Sequence, residues 1–258
     1  MPGESRTVHG IHPVLEALRA HPDEVERIYL LEGSVAPRAS AEILSRAREA
    51  RVRVERVPRE RLATLAAGGA HQGVAARLRE FAYAELADVV GAASSSGRPP
   101  LLVVLDGLQD PHNLGAILRS AEALGAHGVV LPRDRSVGVT AAVARASAGA
   151  VEHVPVARVT NLSRALEELK AAGLWVAAAD PSGDQALWEA RLDGPLAVVV
   201  GAEGAGVRPG VLSHCDLRLR IPLGGRVGSL NASVSAAVVL YEVARQRAFA
   251  LTPAKSVP

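Results

Sequence analysis

Apolar residues in the second half of the chain gather into short runs, the first of them continuous. These are Leu101-Leu102-Val103-Val104-Leu105, Gly128 to Leu131, Leu174 to Ala179, Leu196 to Val200 and Leu217 to Ile221. A run apolar at every position suits a strand covered on both faces. Between the runs, Leu114 to Leu124, Asn161 to Ala172 and Ser229 to Arg247 space their apolar residues for helices. Strands alternating with helices predict an α/β fold with a mostly parallel, doubly wound sheet. Ligands collect outside the carboxyl ends of the strands in such folds.

The first part of the chain is patterned differently. Pro13 to Leu18 predicts the start of a helix and Val25 to Leu31 a strand. Ser40 to Ala50 predicts a helix with Ile43, Leu44 and Ala47 on one side. Val52 to Val57 reads as an alternating strand with one wet, charged face. Seven arginines fall between Arg46 and Arg61, partly offset by Glu49, Glu55 and Glu60. A solvated, ion-paired face and an RNA-contacting surface are both open readings of this run. Gly91-Ala92-Ala93-Ser94-Ser95-Ser96-Gly97-Arg98-Pro99-Pro100 reads as a linker or exposed loop. The expected organisation is an N-terminal domain over 1–80, a linker over 81–100, a C-terminal domain over 101–250 and a tail over 251–258.

Composition narrows the class. The chain has 258 residues, 48% of them hydrophobic, which is ample core for one or two domains. A net charge of +2 with a pI of about 9.0 excludes a polycation and allows a local basic face. Lys170 and Lys255 are the only lysines, and every other basic residue is Arg. Codon bias or heat adaptation accounts for that, although the guanidinium fork also suits phosphate. Cys215 is the sole cysteine, so no intrachain disulfide is expected. It reads as a small buried residue rather than a nucleophile paired with His214. Met1 to Arg19 lacks a secretory pattern, and no apolar run reaches the length of a membrane span. A cytoplasmic protein without a membrane partner is expected. His9, His12 and His71 show no metal-ligand spacing, so no metal is expected.

Three segments at strand ends carry the candidate chemistry. Leu105-Asp106-Gly107 closes a strand, and Asp110-Pro111-His112 turns the chain. Asn113 is placed to cap the next helix and Gly125 to end it. Leu114, Ile117, Leu118, Ala121 and Leu124 form one stripe on that helix. Arg119 projects about 140° from Leu114, toward a pocket, solvent, or an ion pair with Glu122 or Asp110. The second segment is Gly201-Ala202-Glu203-Gly204-Ala205-Gly206, whose glycines allow close backbone approach. It superficially resembles a dinucleotide fingerprint, but a carboxylate in the loop gains nothing with phosphate. A cationic or neutral ligand fits better, such as S-adenosylmethionine with its sulfonium. The third segment runs from Ile221-Pro222 through Gly224-Gly225-Arg226-Val227-Gly228 to Ser229-Leu230-Asn231. Ser229 or Asn231 is placed to cap the last helix. That helix carries Leu230, Val234, Val238 and Tyr241 in one line, flanked by Ala237 and Ala244. The line suits close packing within the domain or across a dimer interface.

Asn113-x-Gly115-x-x-x-Arg119, Gly201-x-Glu203-x-x-Gly206 and Ile221-Pro222 through Ser229-x-Asn231 closely resemble the three motifs of the SpoU (TrmH) family of RNA 2′-O-methyltransferases. The resemblance covers about Leu101 to Arg247. One departure is Gly228, where relatives often carry serine. His9-Gly10-Ile11-His12-Pro13-Val14-x-Glu16-Ala17-Leu18 and His71-Gln72-Gly73-Val74 resemble the substrate-binding domain of the family's RlmB-type members, which is similar to ribosomal protein L30e. The resemblance implies a SPOUT-type C-terminal domain with a trefoil knot, which general topology rules would not suggest. It implies S-adenosylmethionine held by Gly201, Ile221 and Leu230, with support from Glu203 and Pro222. Arg119 is the implied catalytic residue, acting across a homodimer interface, with Asn113, Glu203, Ser229 and Asn231 positioning the reactants. Arg133, Arg135, Arg145 and Arg226 are expected RNA contacts or surface ion-pair partners. The implied reaction is methylation of a guanosine ribose 2′-OH in 23S rRNA, free or in a large-subunit assembly particle. The alternatives are another rRNA or tRNA nucleotide (resistance enzymes included), a noncatalytic RNA-binding assembly factor, and an ATP- or NAD-binding α/β enzyme.

Overall fold

Seven strands in the computed structural model, several of them unbroken apolar runs, form one sheet, which holds the core of the second half. The structure describes residues 6–33, 37–226 and 228–247. Val227 and the expected tail 251–258 lie outside the described residues. By backbone proximity the chain divides into two units. One comprises the stretch up to Tyr83 with Asp110–Arg119 and Val137–Pro155, and the other Ala84–Gln109, Ser120–Ser136 and the chain from Val156 onward.

The first unit contains a four-stranded sheet of order β1-β4-β2-β3. Its strands are β1 (Arg6–His9), β2 (Val25–Leu31), β3 (Arg53–Val57) and β4 (Val74–Leu78). β2 and β3 run parallel, and β4 is antiparallel to β1 and β2. Helices α1 (Ile11–Ala20), α2 (Pro37–Glu49) and α3 (Arg59–Leu65) complete the early part. β2 occupies the expected residues, and α2 spans most of the expected Ser40–Ala50. The expectation of one wet face for 52–57 is not met. Glu55 and Arg56 are consecutive polar residues, so the alternation slips. Val57 is buried with Tyr29, Leu62 and Ala75, while the exposed Arg53 and Arg56 fall on opposite faces.

The second unit's sheet has the order β7-β6-β5-β10-β8-β11-β9. The strands are β5 (Leu101–Asp106), β6 (Gly128–Pro132), β7 (Val156–Val159), β8 (Trp175–Ala179), β9 (Gln185–Ala186), β10 (Leu196–Gly201) and β11 (Leu217–Arg220). Every neighbouring pair is parallel. Leu101 to Leu105 are fully buried, as their unbroken apolar run requires. Four helices accompany the sheet: α4 (Leu86–Ser94), α7 (Leu162–Ala171), α8 (Pro209–Leu212) and α9 (Ala232–Gln246). The expected linker is therefore helical through Ser94. Leu86 and Val89 bury against the sheet core, and Gly91 to Ser94 continue that helix.

Helix α5 (Pro111–Ala123) carries the first motif, and α6 (Ala141–Ala146) lies in the first unit. Asn113 does not cap α5. The helix opens one turn earlier, with Pro in its first position and the Asp110 carboxylate accepting the His112 N–H at 2.9 Å. Gly125, at φ +76°, follows the helix end in the left-handed region, as expected.

Candidate active site

The carboxyl ends of β8, β10 and β11 frame two adjoining clefts in the second unit. One of about 450 Å³ is lined by Arg220 to Leu223, Arg226, Ser229 and Leu230. The other, of about 400 Å³, is lined by the loop Gly201 to Val207, with Pro181, Ser182 and Arg218. Ala179, Asp180, Pro181, Ser229, Leu230 and Ser235 line both, so the two form one continuous depression. The second and third sequence segments thus converge, although residues 207–220 separate them along the chain.

Glycine makes the second segment possible. Gly201 is buried, and a Cβ there would collide with the backbone of Gly206 and Val207. The loop folds on itself through the Gly206 N–H to the Ala202 carbonyl, 2.8 Å, and the Ala205 N–H to Glu203, 2.9 Å. Gly204 and Gly206 take φ of +74° and +66°, where a side chain is strained.

A single amide joins the second and third segments. Asn231 caps α9, its Oδ1 accepting from the Ser233 N–H at 2.8 Å and from the Val234 N–H at 3.3 Å. Its Nδ2 donates to Glu203 Oε1. Of the two expected caps, Asn231 therefore serves and Ser229 stands at the cleft wall.

Two acidic groups at this end escaped the sequence reading. Asp106 is buried at the end of β5, level with Gly201 in β10. It accepts from Arg208 through the backbone N–H (2.8 Å), Nε (2.7 Å) and Nη2 (2.6 Å). This holds the Arg208 guanidinium above its ordinary pKa. Asp180 closes β8 and pairs with Arg218 at 2.8 Å. Burial alone would raise its carboxyl, but the Ser182 N–H and Arg218 hold it below the ordinary value. The signal available was the turn Asp180-Pro181-Ser182-Gly183 directly after an apolar run.

The remaining expected residues are distributed as follows. Arg119 is exposed on α5 and makes no ion pair with Glu122 or Asp110 among the described residues. Asn113 is buried on the same helix. Gly115 between them is pressed against α6, where a Cβ would meet the Ser147 backbone nitrogen at 2.9 Å. Arg119 and Asn113 belong to the first unit, and Glu203, Ser229 and Asn231 to the second. Arg133 and Arg135 are exposed after β6, and Arg226 lines the cleft. Arg145 on α6 pairs with His9 Nε2. Burial, then Arg145, pushes the His9 imidazole below its ordinary value. Cys215 is half-buried, and burial pushes its thiol up to about 11, the opposite of an activated nucleophile. His214 faces Glu167 at 3.2 Å. Among the described residues no cluster of His, Cys, Asp and Glu could hold a metal, and no helix is long and apolar enough to cross a membrane.

The SpoU rRNA Methylase family model matches residues 100–241. The chain belongs to the SpoU methylase family. A second model, RNA 2′-O ribose methyltransferase substrate binding, matches residues 7–84. YacO of Bacillus subtilis (strain 168), assigned to the TrmH family of tRNA/rRNA methyltransferases, is 42% identical over 240 residues, 93% of this chain and 95% of YacO. The SpoU methyltransferase AviRb from Streptomyces viridochromogenes, solved with the cofactor AdoMet, superposes with a TM-score of 0.79 at 25% identity, over 95% of this chain and 91% of its own. An AdoMet-bound rRNA methyltransferase from Sinorhizobium meliloti gives a TM-score of 0.77 at 25% identity, over 93% of this chain and 87% of its own. This SpoU chain is accordingly an RNA methyltransferase with a substrate-binding module ahead of its methylase domain.

Proposed function

We propose that the chain transfers a methyl group from S-adenosylmethionine to the ribose 2′-oxygen of a guanosine in 23S rRNA, free or within a large-subunit assembly particle. The observation that carries this reading is the convergence of both glycine-rich and Ser-x-Asn loops on one cleft at the strand ends. The cleft's chemistry suits that donor. Ile221, Leu223 and Leu230 offer apolar surface, Glu203 negative charge for a cation, and Arg226 positive charge for a carboxylate. Gly201, Ile221 and Leu230 would hold it, with Glu203 and Pro222 in support. S-adenosylmethionine supplies a methyl already activated by its positive sulfur.

What remains for the chain is alignment and one proton. As the 2′-oxygen bonds to the methyl, the carbon–sulfur bond breaks and its electron pair stays on sulfur. The 2′-OH proton leaves by way of the adjacent RNA phosphate, which relays it to solvent. Arg119 stays protonated and orients that hydroxyl and phosphate. Asn231 fixes Glu203, and Asn113 and Ser229 position Arg119, ribose and donor. Arg133, Arg135, Arg145 and Arg226 contact RNA.

The working form is a cytoplasmic homodimer in which Arg119 acts at the partner's cleft. The exposed line of Leu230, Val234, Val238 and Tyr241 supports it. The methylase domain over 101–250 is knotted, a reading supported by β10 lying between β5 and β8 with β11 beyond β8. An L30e-like domain over 1–80 recognises the substrate, followed by a connecting segment over 81–100.

The test is transfer of labelled methyl to unmodified 23S rRNA, with mapping of the modified ribose. Arg119→Ala should abolish turnover while calorimetric donor affinity stays near wild type. Near-normal turnover would refute the assignment. The tRNA/rRNA naming of YacO favours a second reading, another rRNA or tRNA nucleotide, so bulk tRNA belongs in the same assay.

A further inference from the structure

The arginine-rich stretch before Arg61 plays no part in the cleft, and the first unit's sheet gives it a geometry. Strand register sets Arg27 of β2 opposite Arg53 of β3, and opposite Arg77 of β4. Residues two apart share a face of a strand. The three arginines therefore lie in one row, on the face where α3 covers Tyr29, Val57 and Ala75. The covering ends short of the row: Arg53 is exposed, and the Arg77 and Arg27 side chains are 53% and 38% accessible.

Like charges directly opposite one another across strands are destabilising. Here the same charge occupies three adjacent strands. Relief is partial. Glu55 takes Arg27 at 2.9 Å and Arg61 of α3 at 3.0 Å, and Glu26 takes Arg77 at 3.4 Å. Arg53 has no ion-pair partner among the described residues. Arg61 flanks the row, its guanidinium 5.8 Å from the centre of the Tyr29 ring. Among the described residues these four arginines have two glutamates between them, Glu55 and Glu26.

We propose that this row is a track for the RNA backbone, with successive phosphates taken by Arg77, Arg27 and Arg53 as a single-stranded or loop segment crosses the strands. Neighbouring strands lie about 4.8 Å apart, so the three backbone positions span roughly 10 Å. Guanidinium forks on arms of this length reach successive phosphates and bind each bidentately. Phosphate contacts give affinity and register without reading sequence. The inference deepens the RNA-methyltransferase reading and rests on it: the row acts on substrate capture and leaves the chemistry alone.

The test uses the full chain with Arg27→Gln, Arg53→Gln and Arg77→Gln combined, alongside Arg53→Gln alone. Methyl transfer to rRNA is measured together with equilibrium RNA binding across a salt series. The triple variant should keep kcat within about twofold and raise KM about tenfold or more. Its slope of log affinity against log salt should shrink by about 2, at roughly 0.7 per single-strand phosphate contact. Removing cross-strand repulsion should leave its melting temperature equal or higher. Arg53→Gln, which breaks no ion pair, should take about a third of the slope change. An unchanged slope and KM in an otherwise active, folded variant would overturn the row and point to an acidic protein partner. A wild type that methylates no RNA would refute the proposed function instead, while the salt slope with rRNA would still judge the row.

Discussion

Gly201 leaves no room for a side chain, and that fixes what a substitution there must do. Gly201→Ala forces a methyl into the Gly206–Val207 backbone, an overpacking that costs about 1–3 kcal/mol. The loop is the part that can give way, so donor affinity should be lost in calorimetry while the chain still melts cooperatively. Asn231→Ala removes both a helix cap and the donor to Glu203. It should lower stability by about 1 kcal/mol in thermal or denaturant unfolding, and turnover by more than that loss explains. These two residues were legible because glycines and an Asn at strand and helix ends have few other uses. The Asp106–Arg208 pair was not, since its partners stand 102 positions apart and neither type is unusual where it occurs.

At the scale of elements, runs rich in apolar residues located five of the seven large-sheet strands, Leu217–Arg220 among them despite its two arginines. β9 is two residues long and β7 is short and interrupted by Arg158, so neither produces such a run. β1 was missed because Arg6 and His9 look like surface residues. Arg6 is in fact buried, bound to Glu152 at 2.7 and 2.8 Å and stacked 5.2 Å from the Phe81 ring. Glu152→Ala should leave that guanidinium only Glu24, at 3.4 Å, and cost about 3 kcal/mol, read as a lower unfolding midpoint. Helix α9 shows the reverse error of emphasis. Its packed face is Ala236, Val239, Leu240 and Val243, whereas the line Val234, Val238 and Tyr241 is exposed. Val238→Asp with Tyr241→Glu changes only that exposed line. The pair should turn a dimer into a monomer by sedimentation, with methyl transfer lost alongside. An active monomer would contradict the shared site.

For the whole molecule, the α/β class and parallel sheet could be read from period alone. The grouping of residues 137–155 with the N-terminal strands could not, because it depends on pairs such as Arg6–Glu152 and His9–Arg145, 146 and 136 positions apart. Each unit also holds a histidine kept neutral. Burial lowers His9 first and Arg145 adds to it; burial lowers His127 first and Arg98 adds to it. His127 is locked from both sides, Nδ1 accepting the Leu101 N–H at 3.0 Å while Nε2 meets Ser96 Oγ at 2.9 Å. A lowered native value means the unfolded chain takes up protons that the native chain refuses. Stability should thus be full above the ordinary histidine value of 6.5, decline as pH falls through it, and level off below the native values. Glu16, Asp180 and Glu242 are also lowered, so a second decline should follow as pH falls below the ordinary carboxylate values of 3.8 to 4.5. Thermal melts in small pH steps should show two descents separated by a shoulder. His9→Gln should shrink the upper descent without touching the lower one, and a melting temperature constant from pH 7 to pH 5.5 would show that neither ring is held neutral.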